Sequence, residues 1–278
     1  MWLVTGANGQ LGQELKRMSG IDAVYVNRYQ LDISDEKAVK SYLEKNEFDG
    51  IINCAAYTAV DRAEDEPEKA DKINHLGPQW LARYGKCIIH ISTDYVFDGI
   101  SHVPYSESDQ TNPVSVYGKT KLAGERAVLE EADTAIIIRT AWLYSLCGHN
   151  FVKTMLRLGK TCENLNIVSD RIGSPTCAAD LAKTIAEILP YINRNKKNIY
   201  HFANEGACSW YDLAVAVMQE AKLPCKVTSI QSKDYPTRAV RPCYSVLNVK
   251  KIKNDFGLEI RYWRDALIDV LKEVKEKE

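Results

Sequence analysis

Apolar residues recur along this chain in two rhythms. Up to about residue 140, short apolar runs at Trp2–Thr5, Ala23–Val26, Gly50–Cys54, Cys87–Ser92 and Ala135–Arg139 alternate with stretches of helical periodicity. Among those stretches are Asp35–Asn46, Pro67–Tyr84 and Val116–Glu131, and Leu11, Leu15 and Met18 share one face of a helix near the start. Such alternation predicts parallel strands joined by crossover helices, hence an α/β fold with a doubly wound sheet.

After Arg139 the rhythm becomes irregular. Helices are expected at Asn150–Leu158, Ala178–Leu189, Ser209–Ala221 and Trp263–Lys275, with short apolar pieces at Asn166–Val168, Ile199–Phe202 and Lys226–Ser229. The pattern divides the chain into a nucleotide-binding part, residues 1–145, and a smaller mixed α/β substrate lobe, residues 146–278. The lobe is expected at the carboxyl ends of the strands, where doubly wound sheets bind ligands, with the chain crossing back between the two parts.

Composition narrows the classes of partner. The chain has 278 residues, 45% of them apolar, enough for a sizeable core. Its 36 basic and 37 acidic residues nearly cancel, which leaves no electrostatic footprint for nucleic acid or an anionic membrane. No apolar run approaches the roughly 18 residues of a membrane span, and no signal-peptide pattern precedes the first strand, so a cytoplasmic protein is expected. Eight scattered cysteines, without a Cys-x-x-Cys pair or a histidine at ligand spacing, read as reduced thiols rather than metal ligands.

The chemistry begins with Gly6-Ala7-Asn8-Gly9-Gln10-Leu11-Gly12, between the first strand and the first helix. Glycines there let phosphates approach the backbone, and the free N–H groups and positive helix end favour negative charge. This is the place for a dinucleotide pyrophosphate in a Rossmann-type sheet. The third strand ends in Asn53-Cys54-Ala55-Ala56, small residues beside which adenosine or ribose could pass. At the end of the second strand, Val26-Asn27-Arg28 has no acid to bind the ribose hydroxyls, which points to NADPH with NADH left open. Asp32 and Ile33 either cover the adenine or simply enter the next helix.

Tyr117 and Lys121 lie four apart on one helical face, which can bring an ammonium near a phenol. A phenol so placed gives its proton to a carbonyl oxygen as hydride arrives at carbon, and a nearby cation is expected to lower its pKa and to hold the nicotinamide ribose. Thr93 follows the buried run Ile88-Ile89-His90-Ile91-Ser92. It either caps a turn or makes the second hydrogen bond to the substrate oxygen. Trp142 after the fifth strand reads as a platform for a sugar ring or as core. Arg171 and Arg241 read as partners for a diphosphate or as surface ion pairs.

Four longer strings carry a resemblance. They are Asn53-Cys54-Ala55-Ala56-Tyr57-Thr58-Ala59-Val60-Asp61, Ser92-Thr93-Asp94-Tyr95-Val96-Phe97-Asp98-Gly99, Tyr117-Gly118-Lys119-Thr120-Lys121-Leu122-Ala123-Gly124-Glu125 and Arg139-Thr140-Ala141-Trp142-Leu143-Tyr144. With Gly173-Ser174-Pro175-Thr176 and Arg241-Pro242, the chain resembles the dTDP-4-dehydrorhamnose reductase family of extended short-chain dehydrogenases along essentially its whole length. The resemblance implies reduction of dTDP-4-dehydro-6-deoxy-L-mannose to dTDP-L-rhamnose, with hydride going to carbon 4 of the sugar. It implies Thr93, Tyr117 and Lys121 as the catalytic trio, and Thr93, Asp94, Tyr95 and Trp142 against the nucleotide sugar. Cofactor contacts are implied for Gly6, Gly9, Gln10, Leu11, Gly12, Arg28, Asp32, Ile33, Ala55, Ala56, Tyr57, Tyr117 and Lys121. Asn74 resembles the family's supporting asparagine, or is a helix-surface amide. Some members are described with magnesium at a dimer contact. Glu14 is the nearest acidic candidate, no second ligand stands at a convincing spacing, and no metal site is assigned. A homodimer remains open.

Two rival readings stay in view. One is a non-catalytic, dinucleotide-binding regulatory subunit of methionine adenosyltransferase, against which the intact trio argues. The other is a nucleotide-sugar 4-epimerase or dehydratase. A dehydratase calls for an acidic pair after the threonine, and Asp94-Tyr95 supplies one carboxylate.

Overall fold

The computed structural model describes residues 1–278 except Ser19, Asn195 and Glu278. The amino-terminal part runs β1 (Trp2–Thr5), α1 (Gln10–Arg17), β2 (Ala23–Val26), α2 (Glu36–Lys45), β3 (Gly50–Asn53), α3 (Val60–Ala63), α4 (Pro67–Asp71), α5 (Gly77–Gly85), β4 (Cys87–Thr93), α6 (Val116–Glu131) and β5 (Thr134–Thr140). There follow β6 (Leu143–Tyr144), α7 (Phe151–Gly159), β7 (Asn164–Val168), β8 (Ile172–Gly173), β9 (Thr176–Cys177), α8 (Ala178–Ile188) and β10 (Lys197–His201). The chain ends with β11 (Cys208–Ser209), α9 (Trp210–Ala221), β12 (Lys226–Ile230), α10 (Lys250–Phe256) and α11 (Trp263–Lys277).

A parallel six-stranded sheet in the order β2-β1-β3-β4-β5-β10 forms the centre. Successive residues serve opposite faces. Val4, Ile52, Ile89 and Ile136 pack under α1 and α8, while Leu3, Ile51, Ile88 and Ile137 pack under α2, α5 and α6. Both faces are covered, which is why these strands read as continuous apolar runs. The chain leaves β1 for β2 and then returns across to β3. The connections that follow β1 and β3 therefore leave toward opposite sides of the sheet, which is the place where such sheets open a crevice.

Two elements differ from the pattern reading. The stretch Pro67–Tyr84 is not one regular helix, because Lys72–Leu76 forms a π-helical turn between α4 and α5. Pro78 has no N–H to offer the Asn74 carbonyl, so the α-helical ladder must break there. The piece read as Ile199–Phe202 is β10, which pairs with β5 at the edge of the main sheet although it lies well past residue 145. α7, which lies between these two strands, packs with α9 and α11, which follow β10, around a second core, with Val152, Met155, Leu213, Val217 and Leu267 at its centre. No helix among the described residues is long and apolar enough to cross a membrane.

Candidate active site

The glycine loop is shaped by a close approach of backbone to backbone. Gly6 has φ +69°, and a Cβ there would stand 2.6 Å from the Ala55 nitrogen. A Cβ on Gly12 would stand 2.5 Å from the Gly6 carbonyl oxygen. Only glycine fits at either position. Gly9 caps α1 without a side-chain acceptor, so the N–H groups of the first turn stay open to an anion. Leu11 sends its side chain into the core, leaving its backbone as the only part that can face a phosphate. The Gln10 amide is turned away to the second lobe. It donates to the Leu143 carbonyl at 3.3 Å and accepts from the Asn150 amide at 3.0 Å.

Beside this loop lies a cavity of about 460 Å³, lined by Gly6, Gly9, Arg28, Asp32, Ile33, Ala55, Ala56 and Tyr57 among others. The sequence reading named all eight, and missed Arg62 and Lys69, which also line it. Their signal was weak, since both stand in ordinary charged helices and share Glu66 with the Tyr57 hydroxyl. Those three hydrogen bonds hold the Glu66 carboxyl down at about 2. Arg28 is exposed and pairs with Asp32 at 3.2 Å. Burial would raise the Asp32 carboxyl, but hydrogen bonds from Ser34 and Arg28 hold it below its ordinary range.

Asn74 is not a helix-surface amide. It is fully buried in the π turn, accepts from the Tyr57 N–H at 2.8 Å and donates to the Tyr57 carbonyl at 3.1 Å and to Thr120 at 3.2 Å. It ties the loop after β3 to α6, and Gly124 lets that helix lie against the Asn74 carbonyl.

Thr93, Asp94, Tyr95 and Tyr117 come together at the carboxyl end of β4. Of the two roles weighed for Thr93, the structure shows the turn cap. Its hydroxyl caps the turn by accepting from the Tyr95 N–H at 3.2 Å, donates to Asp94 at 3.0 Å, and lies near enough to the Tyr117 phenol to favour its ionised form. Ser115 caps α6 by accepting from the Gly118 N–H at 3.1 Å. Gly118 has no side chain to clash with the Tyr95 carbonyl, so the Tyr117 ring meets the Tyr95 ring edge-on at 5.5 Å. Burial pushes the Asp94 carboxyl up to about 6 although Thr93 donates to one of its oxygens, and the other oxygen has no hydrogen-bond partner.

One electrostatic expectation needs correction. The Tyr117 phenol is not held acidic by Lys121. Burial raises it above its ordinary value, Thr93 opposes that weakly, and Asp94 and Tyr95 raise it further. The reason is geometric: the Lys121 ammonium is turned toward β4, where it donates to the Ile91 carbonyl at 2.6 Å. A phenol so placed is fully protonated at neutral pH, the state a proton donor needs.

On the lobe side, Trp142 adopts φ 47°, a strained backbone for a bulky residue, and its ring stacks on Trp210 at 3.6 Å. Trp210 was missed by the sequence reading because it opens a helix about seventy positions away with no motif of its own. Arg241 donates to the Tyr95 hydroxyl at 3.2 Å and pairs with Asp61 at 2.5 Å. The Arg171 Nε is buried with no hydrogen-bond partner. Glu14 is buried and paired with Arg17, and no cluster of three His, Cys, Asp or Glu able to hold a metal occurs among the described residues.

A doubly wound sheet with a backbone cradle at its switch point and a Thr-Tyr-Lys set beside it defines a dinucleotide-binding protein of the short-chain dehydrogenase type. The comparisons carry this further. A family model described as the RmlD substrate binding domain matches residues 1–276. The spore coat polysaccharide biosynthesis protein SpsK of Bacillus subtilis is 40% identical over 98% of this chain and 96% of its own length. A dTDP-4-dehydrorhamnose reductase of Aggregatibacter actinomycetemcomitans is 41% identical over 96% of this chain and 97% of its own. The crystal structure of a dTDP-4-dehydrorhamnose reductase from Bacillus anthracis in complex with NADP superposes with a TM-score of 0.93 at 35% identity, covering 98% of each chain. The chain belongs to the RmlD, or dTDP-4-dehydrorhamnose reductase, family.

Proposed function

We propose that this protein reduces dTDP-4-dehydro-6-deoxy-L-mannose to dTDP-L-rhamnose, with NADPH as the hydride donor. The observation that carries the reading is a protonated, part-buried Tyr117 set edge-on against Tyr95 at the carboxyl end of β4, with Thr93 near enough to oppose the rise of its phenol. Family membership supports the substrate, and the NADP complex of the Bacillus anthracis relative supports the cofactor.

The glycine loop fits a pyrophosphate, since Gly9 caps α1 without a side-chain acceptor and the N–H groups of the first turn stay open to an anion. Gly9 and the first turn of α1 would hold the phosphates, Ala55 and Ala56 would pass the ribose, and Arg28 would meet a 2′-phosphate. When bound, the reduced nicotinamide supplies a hydride to carbon 4 of the sugar. Tyr117 then gives its proton to the carbonyl oxygen, so that a ketone becomes a secondary alcohol and a tyrosinate is left to recover its proton from water. Thr93 releases its hydroxyl from Asp94 to stabilise the same oxygen as charge develops. Lys121 steadies the tyrosinate once it exists. Arg171, with its unpartnered buried Nε, and Arg241 fit the diphosphate of the substrate. The dehydratase reading is not favoured, because the Tyr95 hydroxyl, bound to Arg241, occupies the place of a second carboxylate.

The test supplies the keto sugar through the coupled dehydratase and epimerase reactions and follows NADPH absorbance. Wild-type protein consumes the cofactor. Tyr117→Phe loses on the order of 10²–10⁴ in turnover and still binds NADPH in a fluorescence titration. A phenylalanine variant with wild-type turnover would remove the reading.

A further inference from the structure

His90 sits in the middle of a strand, fully buried, with a titratable ring that the reaction above does not use. It belongs to a chain of side chains across the carboxyl ends of β1, β3 and β4. Thr5 donates to the Asn53 carbonyl oxygen at 2.6 Å, the Asn53 amide nitrogen meets His90 Nδ1 at 3.0 Å, and His90 Nε2 meets Lys121 Nζ at 3.4 Å. The direction of the chain can be worked out. The Ala55 N–H donates to the Asn53 oxygen at 3.1 Å, and a backbone N–H can only donate. That fixes the amide, so its NH₂ faces His90 Nδ1, which must accept. A neutral ring then carries its proton on Nε2.

The ring therefore turns a donor, not a lone pair, toward Lys121. An ammonium has only donors to offer in return, whereas a neutral amine has a lone pair that the Nε2–H can reach. We propose that His90 is a positioning residue for Lys121: the Thr5-Asn53-His90 chain holds Nζ at the Ile91 carbonyl and faces it with a ring N–H that stabilises the neutral amine over the ammonium.

The electrostatics agree with this geometry. Burial and the nearby Lys121 hold the His90 ring well below its ordinary value, hence neutral, and burial lowers Lys121 to about 8. The other titratable groups acting on Nζ are Glu125, one turn along α6, and Cys54, after β3, and both favour the ammonium. His90 is the opposing member on β4. The inference deepens the functional reading, in that it rests on Lys121 being the lysine of the site.

Nitrogen-15 spectra of histidine-labelled, cofactor-free protein test it directly, with His90 assigned among the five histidines by its loss in His90→Gln. The expected ring is protonated at Nε2 alone and stays neutral well below the ordinary titration range of histidine. An Nδ1–H tautomer, or an imidazolium at neutral pH, overturns the proposal. Asn53→Asp supplies the second arm by replacing the donor at Nδ1 with an acceptor. The ring proton should then move to Nδ1, turn the Nε2 lone pair to Lys121, and raise the Lys121 titration in lysine-labelled spectra by about one unit or more. A switched tautomer with an unmoved Lys121 titration also overturns it. These spectra need neither substrate nor cofactor, so they stand apart from the fate of the reductase reading, which Tyr117→Phe decides.

Discussion

Two cations are buried close to the same carboxylate, Glu125, and they are treated in opposite ways. Arg139 on β5 pairs with Glu125 through two nitrogens, at 2.9 and 2.7 Å, and its guanidinium lies 5.2 Å from the centre of the Phe97 ring. Ser92 donates to the same carboxylate. Lys121 is as deeply buried, 1% exposed against 2% for Arg139, yet no carboxylate pairs with it and a backbone carbonyl and a histidine are its partners. The first cation is neutralised and fastened across β4, α6 and β5. The second is left under-compensated against β4. A buried charge that only has to hold strands together is given its counter-ion, whereas one that must act on a reacting group is kept short of it, at a cost in stability.

That contrast predicts opposite responses to the same kind of substitution. The largest effect is expected for Arg139→Met, which strands the Glu125 carboxylate in the core and should destabilise the protein by about 3–5 kcal/mol in denaturant unfolding. Adding Glu125→Leu should recover much of that loss, because the double variant leaves no unpaired charge. If the two single losses simply add, the pair is not the fastening it is taken for.

Lys121→Met should move stability the other way while abolishing reduction. Its folded-state pKa, lowered from 10.5 to about 8, means that the ammonium is disfavoured by folding. A depressed folded value contributes stability above the unfolded pKa and loses it as pH falls through the folded one. Wild-type protein therefore carries a penalty of the order of 3 kcal/mol below about pH 8, fading by about pH 10.5. The methionine variant should show its largest gain in unfolding free energy near pH 7 and little gain near pH 10. A gain independent of pH would mean that packing, not charge, is responsible.

How far the sequence revealed these places depends on what builds them. The glycine cradle and the sheet were legible because local rules make them: a φ that only Gly6 can adopt, and apolar runs that alternate with helices. The π turn was hidden because Pro78 inside an otherwise periodic stretch marks a break without saying how the backbone closes around it. Trp210 was invisible because its stacking on Trp142 depends on a lobe whose strands are two to five residues long. His90 did leave a signal, a titratable ring inside Ile88-Ile89-His90-Ile91. Its meaning required knowing which way the Asn53 amide faces, and that is set by a backbone N–H from the following loop. The direction of Lys121 was misread for the same reason, since spacing along α6 says which face it shares with Tyr117 but not that a carbonyl on β4 would capture it.

A third cation calibrates the comparison from the solvent side. The Arg28 side chain is 66% exposed, lines the cavity beside the glycine loop and is held by Asp32. An exposed pair of this kind carries little folding energy, so Arg28→Ala should change unfolding free energy by less than about 0.5 kcal/mol, in contrast to either buried cation. Its effect belongs to recognition. Losing one partially solvated contact to a 2′-phosphate, worth about 1 kcal/mol, should raise the KM for NADPH about fivefold. The KM for NADH should stay level or fall, because Asp32 is then released to accept from ribose hydroxyls. Steady-state kinetics with both cofactors decides the point. Equal changes for the two would mean that Arg28 shapes the loop rather than reading the phosphate, and would shift that reading to Arg62 and Lys69, the other cations of the same cavity.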